Sequence, residues 1–181
     1  VTGNILLQAL YDMMPAYAAL NFKGGADVMS LLLAMIGVGA AFAALWIAVR
    51  GSSLRMSALS LAGMLLAIIS AGLFISTSSL VIAVLAVILF GAANEIRRTS
   101  TITLIQTHVE DGMRGRVMGI SFLIHQMSGV LGVLFVGTLA DHVGLVIPMM
   151  ILLAVCLVCW GWLYLRRTDM RDAFVETGKK V

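Results

Sequence analysis

Charge is the scarcest property of this sequence: Asp, Glu, Lys and Arg make up only 12% of its 181 residues, whereas soluble domains carry about a quarter. Water is therefore not its main solvent. No H-E-x-x-H, Walker-type G-K-[ST] loop or G-x-S-x-G occurs, which argues against an ATP-driven motor, a membrane hydrolase or any other enzyme. Nothing in the pattern implies a cofactor or a metal. There are two cysteines, Cys156 and Cys159, in a C-x-x-C inside an apolar run near Trp160 and Trp162. A redox or zinc role there needs solvent access or further ligands, so both read as packing or lipid-facing residues. The chain opens on Val1 with no initiator methionine and no charged n-region ahead of a cleavage site, and it reads as a fragment.

What is present is apolar. Hydrophobic residues account for 61% of the chain and the mean hydropathy is +1.05. Uncharged stretches reach the roughly 20 residues that a helix needs to cross a bilayer, and they lack the alternation of barrel strands. The expected fold is an all-α membrane protein. Six transmembrane helices are placed at about 1–20, 28–49, 56–76, 80–108, 117–140 and 145–165, followed by a charged tail at 166–181. The first carries Asp12 and Pro15 and looks truncated at its start. Asp27 and the polar turn Ser76 to Ser79 are placed to cap the helices that follow them, and Glu110 to Arg116 reads as a charged loop.

Alternation of these spans puts Arg50 and Arg55, Arg114 and Arg116, and the tail with Arg166, Arg167, Arg171, Lys179 and Lys180 on one side. Lys23 alone falls on the other. The positive-inside rule then places the basic loops and the C-terminus in the cytoplasm. The net charge of +3 follows from this topology and does not call for nucleic acid. Small residues at helical spacing, Gly37 with Ala41, Gly39 with Ala43, and Ser128, Gly129, Gly132 and Gly137, read as close-packing faces.

The sharpest feature is the cluster Asn94, Glu95, Arg97 and Arg98, roughly 15 Å of helix from the loop at Glu110. Each charge inside a bilayer costs at least ~2.5–3.5 kcal/mol, so such residues usually face a watery cavity or a partner. At 100° per residue Asn94, Arg98 and Thr101 share a face with Gly91, with Arg97 at its edge and Glu95 turned away. Glu95 and Arg98 can pair, which leaves Arg97 the less neutralised charge. The competing reading is structural, with the arginines snorkelling to the cytoplasmic headgroups. Asp12 is either a buried, proton-handling carboxylate or a hydrated group near the outer interface. His125, beside Gln126, is either an interhelical hydrogen-bonding residue or a proton relay.

The segment G-M-R-G-R-V-M-G at Gly112 to Gly119, containing Arg114, Gly115 and Arg116, precedes a helix ending in G-T-L-A-D-H-V-G at Gly137 to Gly144. With M-P-A-Y-A at Met14 to Ala18, L-L-A-M-I-G-V-G-A at Leu32 to Ala40 and T-L-I-Q at Thr103 to Gln106, it resembles the last part of major facilitator superfamily exporters. The bacterial group of the enterobactin exporter and macrolide-efflux-like permeases is the most similar. The resemblance covers nearly the whole chain, as the C-terminal six of twelve helices. It implies a missing N-terminal six-helix half, a central cavity opening alternately to each side, and cavity-lining positions for Asp12 and Asn94 to Arg98. The turn A-V-R-G-S-S-L-R at Ala48 to Arg55 lacks the acidic residue of the family's usual gating motif, and the E-I-R-R cluster is not a feature of the group as a whole.

The functional expectation is proton-coupled export of a small organic compound across a bacterial cytoplasmic membrane. Asn94, Arg97, Arg98 and Thr101 would hold the substrate, which an arginine site makes anionic. Asp12, Glu95 or His125 would handle the proton. The rivals are a non-transporting membrane scaffold or subunit and a six-helix transporter working as a homodimer.

Overall fold

A computed structural model describes residues 12, 25–50, 56–144 and 146–178. Among these residues it holds five long helices: α1 (Gly25–Arg50), α2 (Met56–Ser76), α3 (Leu80–His108), α4 (Asp111–Val143) and α5 (Val146–Gly178). Apart from Asp12, which is helical, the first expected helix lies outside the described residues. So do Lys23 and the basic turn with Arg55. Four stretches, Ala26–Arg50, Met56–Ser76, Leu80–Thr107 and Asp111–Ala140, are long and apolar enough to cross a membrane, and α5 contributes the shorter apolar segment Val146–Trp162.

Local chemistry sets the helix ends. Asp27, expected as a cap, lies inside the first turn of α1, because that helix starts at Gly25. There its carboxylate complements the positive end of the helix dipole, as Arg50 does the negative end. Ser79 does stand at the N-cap of α3, with φ −89° and ψ 124°, but its hydroxyl makes no capping bond. Instead its amide donates to Thr77 Oγ1 at 3.2 Å, which closes the turn after α2.

Two boundaries depart from the hydropathy reading. The segment expected as a loop, Glu110 to Arg116, is the start of α4. Glu110 is the N-cap, its carbonyl accepts from the amides of Met113 and Arg114 at 3.0 Å, and Arg114 pairs with Asp111 at 2.8 Å. The tail from Arg166 continues α5 as far as Gly178. Helical hydrogen bonding does not stop where apolar side chains stop, and Arg, Met, Ala and Glu sustain it in water. By contrast, α4 ends sharply at Gly144. Its φ of +77° lies where side chains are disfavoured, and its amide closes on Ala140 O at 3.0 Å.

Packing centres on α3, which lies against α1 and α2 far more extensively than against α4. Glycine allows the closest approach. A methyl group on Gly39 would strike the carbonyl oxygen of Ile88, and one on Gly91 would strike that of Ile36, so the α1 and α3 backbones touch at this crossing. Beside it, Phe74, Phe90, Ile68 and Val87 are fully buried, and Met149 and Cys156 of α5 close the core. Gly63 of α2 abuts the backbone of Ala93 and Arg97, and Ser60 bonds Thr101 at 3.3 Å, so α2 and α3 run antiparallel. Trp160 against Leu61 and Leu153 against Gly72 set α5 antiparallel to α2 as well. This alternation is what successive membrane spans require.

Several hydroxyls inside the apolar helices are satisfied locally. Thr101, Thr103 and Thr138 donate to carbonyls four residues back at 2.8–2.9 Å. Along α4, Ile120, Leu123, Met127, Leu131 and Leu134 stay exposed. An apolar exposed helix of this length is an element made for lipid or for another helical body.

Candidate functional site

The middle of α3 carries the charges. Arg97 is only 2% exposed, on the stretch of α3 whose backbone Gly63 of α2 abuts. Its Nη2 donates to Asn94 Oδ1 at 2.6 Å. Its Nε has no partner among the described residues, and neither does the hydroxyl of the buried Ser100. Arg98 points elsewhere: its side chain is more than half exposed, and its Nε lies 3.4 Å from Glu95 Oε2. The other oxygen of Glu95 accepts from Thr99 at 2.8 Å. Glu95 and Arg98 thus offset one another, whereas Arg97 has only the neutral Asn94 among the described residues.

A cavity of about 140 Å³ opens between α3 and α4, and its polar wall is Arg97, Arg98, Thr101, Ser121 and His125. The opposite character is supplied by Ile102, Ile105, Met118 and Phe122. A second cavity, of about 410 Å³, is lined by Asp12, His125 and Gln126 with Val130, Val133 and Leu134. His125 borders both, so one imidazole separates the arginine-lined space from the aspartate-lined one.

Arg97, Arg98, Thr101 and His125, singled out separately from the sequence, therefore meet in one cavity, and Asp12 meets His125 in the next. Asn94 reaches the first cavity only through its bond to Arg97, and Glu95 lines neither. The two arginines differ in burial: Arg97 is enclosed and Arg98 exposed. Arg114, Gly115 and Arg116 lie at the exposed start of α4 and line neither cavity.

Met118, Ser121 and Phe122 were missed as lining residues. They precede His125 at helical spacing on one face of α4, a signal available once His125 is taken as facing inward. Ser100 was missed because a lone serine in a helix carries no distinguishing pattern.

A family model described as Major Facilitator Superfamily matches residues 4–180. No curated protein and no solved structure matches the chain. Apolar helices of membrane-crossing length and a match over almost every residue agree on an integral membrane protein of the transporter class. The chain belongs to the major facilitator superfamily.

Proposed function

We propose that this chain is the C-terminal six-helix half of a twelve-helix secondary transporter from the enterobactin-exporter and macrolide-efflux-like group. In this reading it exports a small organic anion from a bacterial cytoplasm by alternating access, coupled to protons, with its basic loops and C-terminus in the cytoplasm.

One observation carries the reading. Arg97 is a buried cation whose partner among the described residues is a neutral amide, and it lines a cavity with Arg98, Thr101, Ser121 and His125. A charge in the bilayer interior at a cost of at least ~2.5–3.5 kcal/mol persists where it has a task. An anionic group entering the cavity supplies the countercharge that the helices withhold. For the proton, Asp12 is the better-placed carboxylate, since it borders a cavity with His125 while Glu95 lines neither cavity. The missing six helices have an apolar surface to meet along α4.

The test uses the full-length protein in proteoliposomes, with a panel of small organic acids and an imposed proton gradient. Transport that collapses with an uncoupler and is lost in Arg97→Gln supports the reading and excludes a scaffold. Unchanged transport in a correctly inserted Arg97→Gln, Arg98→Gln double variant overturns the anion site. Six further apolar segments upstream of Val1 support the C-terminal half, and their absence favours the homodimer.

A further inference from the structure

The two cavities lie end to end along α4, and one side chain belongs to both. Met118, Ser121 and Phe122 border the space that Arg97 and Arg98 line, Gln126 and Leu134 border the space that Asp12 lines, and His125 borders each. From Met118 to Leu134 is roughly 24 Å of helix, most of the ~30 Å of a hydrocarbon core, so the two spaces are stacked along the direction in which α4 spans. We infer that His125 carries one proton with each anion bound beside Arg97, so that anion and proton cross the membrane together and in the same direction. The inference rests on the proposal that the arginine-lined cavity binds an anion.

Electrostatics ties the two ligands together. Among the described residues, the charged groups that line a cavity with His125 are Arg97 and Arg98 of α3 in one and Asp12 in the other, and α4 itself adds none to either lining. With the first cavity empty, a proton on His125 shares it with two guanidinium groups, of which only Arg98 is offset, by Glu95 at 3.4 Å. An anion beside Arg97 replaces that repulsion with attraction. The anion therefore strengthens the hold on the proton, and by linkage the proton strengthens the hold on the anion equally.

Net charge leads to the same pairing. The empty cavity holds the charge of Arg97 and a neutral imidazole. The loaded one holds Arg97, the anion and an imidazolium, which sum to the same single positive charge. Loaded and empty carriers thus meet the membrane potential alike, and the cycle is electroneutral. Asp12 supplies the route for the proton: an O–H bond breaks at its carboxyl group and an N–H bond forms at the imidazole, leaving a carboxylate that borders the same cavity as the imidazolium. That cavity, of about 410 Å³, has room for water to relay the transfer. Glu95 borders neither cavity and has no such route. In a cell whose cytoplasm accumulates the acid, the same coupling exports anion and proton together.

The experiment uses the full-length protein in proteoliposomes with radiolabelled methanesulfonate and benzenesulfonate. Both stay ionised at every pH used, so a proton that travels with them is held by the protein. The readout is the steady-state accumulation ratio, because a slowed carrier still reaches the ratio that its coupling dictates. With the membrane potential clamped at zero, an exterior one pH unit more acidic than the lumen should hold a transported anion at about tenfold inside, whereas two protons per anion would hold it at about a hundredfold. A potential imposed at equal pH should leave the ratio near unity. In His125→Gln the pH gradient should lose its effect on the ratio and the potential should acquire one. Glu95→Gln should accumulate as the unsubstituted protein does.

An unsubstituted protein whose ratio ignores the pH gradient, or falls below unity because the proton moves the opposite way, overturns the inference. If that transport is still lost in Arg97→Gln, the anion site stands without it. His125→Gln that accumulates normally overturns the inference, as does His125→Gln that moves no anion, because the imidazole then seats the anion and does not carry its proton. Loss of the pH response in Glu95→Gln moves the proton to the other carboxylate and has the same result. If neither sulfonate crosses at all, the anion-transport reading falls and the inference falls with it.

Discussion

Arg97 Nη2 lies 2.6 Å from Asn94 Oδ1, a bond between a buried guanidinium and a neutral amide one helical turn away. Hydrogen bonds to charged groups contribute about 1.5–3 kcal/mol. Asn94→Ala should therefore lower the thermal stability of the purified full-length protein by about that amount. Arg97→Met should do the opposite, because removing a buried charge and keeping its volume is often neutral or stabilising by up to ~4 kcal/mol. The same Arg97→Met should abolish transport. A residue kept for structure would lose stability and activity together, so this opposition in sign separates the two roles.

The glycines of α1 give a sharper packing test, since two of them stand half a turn apart in different surroundings. Gly39 meets the backbone of Ile88, while nothing lies within 4 Å of the position a Gly37 side chain would take. Gly39→Ala forces α1 and α3 apart and should destabilise the protein by about 1–3 kcal/mol or more. Gly37→Ala has no neighbour to displace and should stabilise by up to ~1 kcal/mol through helix propensity. Gly91→Ala should behave like Gly39→Ala, because it meets the carbonyl of Ile36. Chemical unfolding in mixed micelles reads all three.

These positions also mark what could be read from the sequence. The range of α2 coincides with an uncharged run, and the polar turn after it marks the start of α3, because lipid excludes both charge and open turns. The Glu95–Arg98 pair was legible from spacing alone. The helical start at Asp111 was not, since hydropathy separates lipid from water rather than helix from loop. Its signal was the acidic Glu110 and Asp111 at an N-terminus. The enclosure of Arg97 was not legible on α3 by itself, because it depends on what packs against that stretch, where Gly63 of α2 abuts its backbone. Met118, Ser121 and Phe122 enter the site only because α4 crosses α3 at that depth.

Trp160 ties α5 to α2 through its indole, donating to Leu61 O at 2.9 Å, and its ring stacks on Tyr164 with centroids 5.2 Å apart. Trp160→Phe retains an aromatic ring and deletes the donor. Interhelical hydrogen bonds in membrane proteins average ~0.6 kcal/mol and reach ~1.7. The variant should lose an amount in that range, measured by thermal unfolding, with transport retained.

Topology can be checked from three exposed positions. Arg50 ends α1, Ser78 lies in the turn between α2 and α3, and Arg114 stands in the first turn of α4. If the helices span in succession, Arg50 and Arg114 emerge on one side and Ser78 on the other. The two native cysteines are free, and Cys156 is buried while Cys159 is half-buried. Replacing both with alanine removes background labelling, at a packing cost of up to about a kcal/mol for the lost sulfur at position 156. In that background Arg50→Cys and Arg114→Cys should resist an impermeant thiol reagent in intact cells and react in inside-out vesicles. Ser78→Cys should react in intact cells. Labelling of Ser78→Cys and Arg114→Cys from the same side would break the alternation that Gly63 with Arg97 and Trp160 with Leu61 impose on α2, α3 and α5. It would also remove the argument that the arginine cavity faces a pathway between two compartments.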